Sequence, residues 1–433
     1  MNHRNVFLVS LAALLIVVLF ALSSAVVTST YGASVGVSSS PASSYGVVPT
    51  AIISQVADQP TCSPSGLCPS MMDNAYGFNV LQRQGINGTG QTIVIDDACG
   101  DPNIQSDLQA FDSQFGLPNP KLTVIYPEGQ KNLCTPDGWS VETSLDVEWS
   151  HVVAPGAAID LLVANQPSAP DMYKNWVYAL NHNLGNQISN SYGGSGCDVM
   201  CNNTIGQGIG PCDLTNGTQG FNVQKVLDEA EAKNVTILAS AGDSGAWGIG
   251  KTEEPIPSDC TGVLTVGGTT LTVSSAGNYT SESAWSGTGG GYVTKPAEPA
   301  YQKFAEIKDP YGTLAKPDVA ADANPDTGVW FYNSGWGVVG GTSLSSPLWT
   351  GFMALVNQIR ASNGFHAAGF VSPFLYQTVY GKDGSSGIYA KDFHDIKTGN
   401  NGYPAGKGWD PDTGLGSFRA QTLAETLGSN ETA

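Results

Sequence analysis

An α/β fold, with a mostly parallel sheet covered by helices on both faces, is what this chain predicts from about residue 70 onward. Two observations carry that expectation. Short apolar runs, of strand rather than helix length, recur between stretches of helical periodicity. Several of these runs end in turns rich in Gly, Ser and Asp, at the carboxyl ends of strands where open α/β sheets gather their ligands. At 433 residues there is room for one large domain or two ordinary ones. The expected organisation is a single large domain over residues 70–427, followed by a short tail at 428–433.

The elements read in order. Thr92-Ile-Val-Ile-Asp96 is an apolar strand, and Ile104 to Phe115 a helix. Ser140 to Trp149 is a second helix, and Ala154-Pro-Gly156 a turn into the strand Ala158 to Ala164. Gln187 to Ser191 is a strand running into Tyr-Gly-Gly; the helix Val223 to Lys233 leads into the strand Thr236 to Ala239, and Val263 to Val266 follows. Leu348 to Ile359 is apolar nearly all round, as a core helix is. No internal repeat is present.

The amino end has a different character. Arg4 precedes the apolar run Val6 to Ala21, and Ser23, Ser24 and Ala25 follow, so residues 1–25 read as a signal peptide or, uncleaved, an anchor. Residues 26–69 are expected to be a linker or short propeptide, because they are rich in Ser, Val, Ala and Gly and nearly uncharged over most of their length. An exported, extracellular protein is therefore expected. Six Asn-x-Ser/Thr sequons, at Asn87, Asn202, Asn216, Asn234, Asn278 and Asn430, suit that compartment. So do eight cysteines, which favour disulfides over metal; Cys62–Cys68 and Cys99–Cys134 are the expected pairs, while Cys197, Cys201, Cys212 and Cys260 stay unassigned.

Charge narrows the partners. Only 13% of residues are charged and the formal net charge is −19, which argues against nucleic acid or an anionic membrane surface. Such a surface suits work in acid, where carboxylates lose their mutual repulsion, and equally an acidic protein at neutral pH. A monomer is expected, with no stable membrane contact unless the amino-terminal segment is retained.

One octapeptide carries chemistry. Gly340-Gly-Thr-Ser-Leu-Ser-Ser-Pro347 opens the apolar helix, so Ser343 sits where free helix amides point, suited to stabilise an oxyanion. The glycines allow a tight turn and close approach of another backbone, and Pro347 is expected in the first turn, where its missing N–H costs little. Read this way Ser343 is a nucleophile; read plainly, the stretch is a turn capping a buried helix. A nucleophilic serine needs a base. The five histidines (His3, His151, His182, His366 and His394) include none in a His-Gly-Thr-His setting. Carboxylates remain. In Ser140-Val-Glu-Thr-Ser-Leu-Asp-Val-Glu-Trp149, Glu142 and Asp146 lie four apart on one helical face while Glu148 points elsewhere. Two close carboxyls share a proton and make a base in acid; the alternative is a solvated acidic face. Asp243, in Ser-Ala-Gly-Asp-Ser-Gly, follows a strand and is either part of the site or a local turn cap.

Taken together the motifs resemble a family. Glu142-x-x-x-Asp146, Ala154-Pro-Gly-Ala157, Ser189-Asn-Ser-Tyr-Gly193, Ser240-Ala-Gly-Asp-Ser-Gly245, Thr265-Val-Gly-Gly-Thr269, Ala284-Trp-Ser-Gly-Thr-Gly-Gly-Gly291, Pro317-Asp-Val319 and Gly341-Thr-Ser343 stand in the order found in the sedolisins, or serine-carboxyl peptidases. The resemblance covers about residues 75–425 and implies a subtilisin-like fold and peptidase activity on protein or peptide substrates. It implies Ser343 as nucleophile, Glu142 as base, Asp146 as its partner and Asp243 in the oxyanion hole. Ser191, Tyr192 and Gly193, with Gly289 and Gly290, are expected to offer edges to an extended peptide. Asp97, where subtilisins keep their aspartate, is expected to support the site from behind.

The resemblance also implies one Ca2+ in the glycine- and aspartate-rich loop 395–414, held by Asp395, the carbonyls of Ile396, Gly406 and Gly408, and Asp410; hard cations want such oxygen ligands. A plain turn-rich tail reads the same by spacing alone. Two alternatives stand beside the serine-carboxyl reading: a subtilisin-type peptidase using His151 as base, and a non-catalytic surface protein on the same scaffold. Sedolisins also carry a long folded propeptide, longer than the 26–69 stretch here.

Overall fold

The protein is described by a computed structural model, which defines residues 46–131, 134, 138–194, 223–252 and 255–431. The signal-peptide expectation and Cys197, Cys201 and Cys212 fall outside the described residues.

Period-two alternation decides how the central sheet is buried. In the strand Thr92–Ala98, Ile93 and Ile95 enter one apolar cluster and Val94 the other, so both faces are covered. The eight-stranded sheet runs, by residues, 279–284, 263–273, 236–240, 187–190, 92–98, 158–164, 122–125, with Val319–Asp322 also paired to Val263–Val273. Every pairing is parallel except that of Val263–Val273 with Tyr279–Ala284. One face packs Trp139–Val153 and Thr342–Ser362; the other packs Ala169–His182 and Val223–Ala232. This is the α/β, subtilisin-like architecture expected, as a single catalytic-type domain.

The expected helix Ile104 to Phe115 forms with those bounds, capped at its end by Gly116 in the left-handed region (φ 70°). The strand Ala158–Ala164 likewise forms as expected. The two predicted disulfides, Cys62–Cys68 and Cys99–Cys134, are present, and Cys260 is disulfide-bonded as well. Among the described residues no helix is long and apolar enough to cross a membrane.

Two expectations change. Pro347 lies inside the helix Thr342–Ser362, one turn later than its expected place. Lacking an N–H, it leaves the Ser343 carbonyl without its helical donor; the Ser191 hydroxyl donates to that oxygen at 3.5 Å. The linker expectation for 26–69 gives way, over its described part, to ordered strands. Val48–Pro49 pairs antiparallel with Tyr192–Gly193, and Ile52–Ala57 pairs antiparallel with Trp336–Gly340. Composition misled there, because Ser and Gly content outweighed the β-branched pairs Val47-Val48 and Ile52-Ile53, which were the available strand signal.

Candidate active site

The helix Trp139–Val153 is almost wholly buried, and Glu142 and Asp146 are each 0% exposed. The solvated-face alternative therefore fails: these carboxyls point into the protein, against the helix Thr342–Ser362. The two helices pass closely at Gly351, where an added Cβ would come within 2.8 Å of the Ser150 carbonyl and of Val153 Cβ. Only a glycine permits that approach, and it brings Glu142 to the end that carries Ser343. Glu148, on a different face, accepts the Tyr332 N–H at 3.1 Å and belongs to the packing of Val329–Tyr332.

Ser343 is the second residue of its helix, so its N–H has no acceptor within the helix. Gly341, at the N-cap, has φ 110°. Asp243 reaches this helix end from the loop after Thr236–Ser240: its Oδ1 accepts the Thr342 N–H at 2.8 Å and the Thr342 hydroxyl at 2.7 Å. Its Oδ2 is buried without a hydrogen-bond partner, and a Cβ on Gly341 would lie 2.4 Å from both that oxygen and the Thr50 carbonyl oxygen. Asp243 thus caps a distant helix rather than its own turn, and turns its second oxygen toward the backbone at Thr50.

The missing piece in the sequence reading is that backbone. Residues 46–57 run past Ser343, pairing with strand edges on either side of it. Gly46 bridges Ser168, the Val47 N–H donates to Pro167 O at 3.0 Å, and Val48–Pro49 adds to Tyr192–Gly193. The N–H groups of Thr50 and Ala51 both donate to Glu142 Oε2 at 2.8 Å, and the Thr50 hydroxyl is 2.5 Å from Ser343 Oγ. The Ser343 hydroxyl also donates to the Ser191 carbonyl at 3.3 Å. Tyr192 and Gly193 therefore form a strand-like edge, which here pairs with the chain's own Val48–Pro49. The Gly289 N–H donates to Gly242 O at 2.6 Å and Gly290 O accepts from the Trp247 N–H, so these glycines brace the loop that carries Asp243.

Burial dominates the electrostatics. It pushes the Glu142 carboxyl well above its usual range, Asp97 adds to the rise, and the Ser343 hydroxyl and the Ala51 N–H oppose it. Asp146 is raised well above by burial, then by Asp97 and Glu142. Asp97 and Asp243 are each raised to about 7, chiefly by burial. Four carboxyls in a dry site hold protons at a pH where exposed ones are ionised. Asp97 is closer to the pair than the sequence indicated, since its charge raises both partners. His151 has no part in this. Its Nε2 lies 2.7 Å from Pro118 O and 3.4 Å from Asp112, buried beside the 104–115 helix.

In the other expected site, Asp395 Oδ1 accepts the Gly408 N–H and Asp410 Oδ2 the Gly406 N–H, each at 2.9 Å. Asp412 is buried nearby with both carboxyl oxygens lacking hydrogen-bond partners. Among the described residues no three His, Cys, Asp or Glu side chains converge as a metal cluster.

A model of the subtilase family matches residues 143–385, more than half of the chain. Kumamolisin of Bacillus sp. (strain MN-32) is 31% identical over 396 residues, and sedolisin of Pseudomonas sp. (strain 101) 29% over 355. The chain belongs to the sedolisin family of the subtilases. Among its sedolisin relatives, tripeptidyl-peptidase 1 of Rattus norvegicus is 27% identical over 358 residues. These alignments take in 85%, 75% and 74% of the chain but 64%, 55% and 56% of those relatives, so it spans between about half and two thirds of their length. Solved Pseudomonas sedolisin, a serine-carboxyl proteinase complexed with two molecules of pseudo-iodotyrostatin, superposes with TM-score 0.70 at 27% identity, covering 86% of this chain and all of that one.

Proposed function

We propose that this protein is an exported, acid-acting serine-type peptidase in which carboxyl groups replace the histidine of a conventional triad. One observation carries the reading: the Thr50–Ala51 peptide lies across the serine as a substrate would, with both N–H groups on Glu142 and its carbonyl side against Gly341 and Asp243. In this mechanism Ser343 Oγ attacks the scissile carbonyl carbon and its proton passes to Glu142, whose raised basicity suits it for the task. Glu142 accepts that proton in its ionised form, and the buried neighbours Asp146 and Asp97, by staying protonated, leave it as the one charge of the group. The developing oxyanion takes hydrogen bonds from the Ser343 N–H and from a protonated Asp243 Oδ2. The intermediate then collapses: the C–N bond breaks, the amine leaves with the proton from Glu142, and water hydrolyses the acyl-serine by the same route.

The chain's own Thr50–Ala51 bond is the first substrate to test. Purified full-length chain held at about pH 4 is expected to yield a fragment beginning at Ala51, read by amino-terminal sequencing, and Ser343→Ala is expected to stay intact. Cleavage of the Ser343→Ala chain at the same bond and rate would remove the assignment.

Calcium fits the 395–414 loop. Asp395, half-buried with its Oδ2 3.2 Å from Lys397, and Asp410, with their glycine turns and the buried, unpartnered Asp412 oxygens, offer oxygen ligands of the kind calcium takes. Asp395, Asp410 and the Ile396, Gly406 and Gly408 carbonyls would hold the ion, whose contribution is to neutralise and tie the loop. At saturating calcium such binding stabilises by about 3 kcal/mol. A chelator is therefore expected to lower Tm by several degrees, restored by Ca2+; an unchanged Tm would count against the site.

A further inference from the structure

The extended segment differs on its two sides of Thr50–Ala51. Before the bond, Gly46–Pro49 is held by one bridge, a two-residue strand and the buried side chain of Val47, 2% exposed. Cutting the bond turns that half into a separate product. After the bond, Ala51–Ala57 stays covalently joined to the domain. Only Asp58 to Thr61 separate it from Cys62, which is bonded to Cys68; the Thr61 carbonyl accepts from Trp330 Nε1 at 3.1 Å, and Leu67 bridges Val329. A tether that short keeps the strand at an effective concentration of roughly millimolar beside its partner.

The retained strand is also unequal along its length. Its pairing with Trp336–Gly340 shifts register between Val338 and Val339: Ile53 faces Val339 and Gln55 faces Val338, leaving Ser54 as a bulge. Beyond the bulge, Gln55, Val56 and Ala57 pair with Val338, Gly337 and Trp336 next to the anchored end. Before it, only Ile52 and Ile53 pair, with Gly340 and Val339, and they lie on the side of the bulge away from the Cys62–Cys68 anchor. The stretch that must move to admit a leaving group has two strand pairs, whereas the stretch behind it has three and adjoins the disulfide anchor.

We propose that after self-cleavage Gln55–Ala57 stays on the Trp336–Gly340 strand while Ala51–Ile53 lifts at Ser54, so that this protein prefers to release carboxyl-terminal pieces of no more than about three residues. The inference rests on the peptidase reading above. It names the substrate class, peptides cut near their carboxyl end, and the element that selects it. A longer leaving side must displace the clamped stretch, which competes as a tethered ligand.

The test uses peptides with a constant acyl side, Gly-Val-Val-Pro-Thr, and leaving sides of one, two, three, five and seven residues copied from Ala-Ile-Ile-Ser-Gln-Val-Ala. They are given to self-cleaved wild type and to the double variant Gln55→Pro/Val56→Pro. Successive N–H groups of a strand point to opposite sides, so one of the two prolines removes a ladder bond whichever way the strand faces. Both positions are exposed and outside the catalytic group. In wild type kcat/KM is expected to hold up to three leaving residues and fall at least about 10-fold at five and seven through KM; in the variant the fall disappears, while the short peptides are cut as before. A flat profile in wild type, or an undiminished fall in the variant, would overturn the inference and leave the peptidase reading standing. No Ser343-dependent turnover of even the one-residue peptide would overturn both.

Discussion

Glu142→Ala is expected to reduce kcat by about 10^4-fold or more, because removing the base of a catalytic group costs nearly as much as removing the whole group. His151→Ala should leave the turnover of the folded fraction within a few fold. The contrast follows from where the two side chains lie. Glu142 receives both N–H groups of the peptide that crosses Ser343. His151 spends its Nε2 on Pro118 O and Asp112, on the far side of the same helix. His151→Ala will cost stability through the cavity and the stranded Asp112, so rates must be referred to folded protein. Measured with one peptide at acid pH, equal losses in the two variants would exclude the carboxylate base, and loss only in His151→Ala would install a histidine mechanism.

Asp243 is expected to set the alkaline limit. Its Oδ2 helps an oxyanion only while it carries a proton, and burial raises this carboxyl to about 7. The sign follows: below about 7 the group is protonated and donates; as pH rises through about 7 it ionises, and a negative oxygen faces a developing negative charge. Activity is therefore expected to be high in acid and to fall across neutrality. Asp243→Ala is expected to lose about 10^2–10^3-fold at every pH, the usual cost of one oxyanion donor. Asp243→Asn is the sharper probe. Its carbonyl oxygen can keep the Thr342 N–H and hydroxyl, and its amide can donate where Oδ2 stood, with no proton to lose. It should recover much of the lost rate and carry activity to higher pH than wild type. Wild type and Asp243→Asn falling together with pH would show that another group sets the limit.

Much of the site was legible because each part of it is local. A four-residue spacing puts Glu142 and Asp146 on one helical face whatever surrounds them. Glycines before Ser343 and an apolar run after it announce a helix start. Alternating short strands and helices announce a doubly covered sheet, and the cysteine spacing announced two disulfides. The sequence was silent on which way these local parts face. The Glu142 face reads equally well as solvated, and Asp243 equally well as a local cap; burial and the partner Thr342, 99 residues away, decide both.

The largest gap was the segment 46–57. A β-branched run flanked by Ser and Gly has no intrinsic reason to be a strand or a linker, because its partners are backbone edges supplied by Tyr192–Gly193 and Trp336–Gly340. Edges exist only once the sheet and its loops have folded. What the sequence determined by itself was the set of candidate groups and their place within each element, since periodicity acts over a few residues. What only the tertiary structure decided was their convergence: Thr50, Glu142, Asp243 and Ser343 meet because core packing closes loops of about a hundred residues each, and no local pattern records where such loops end.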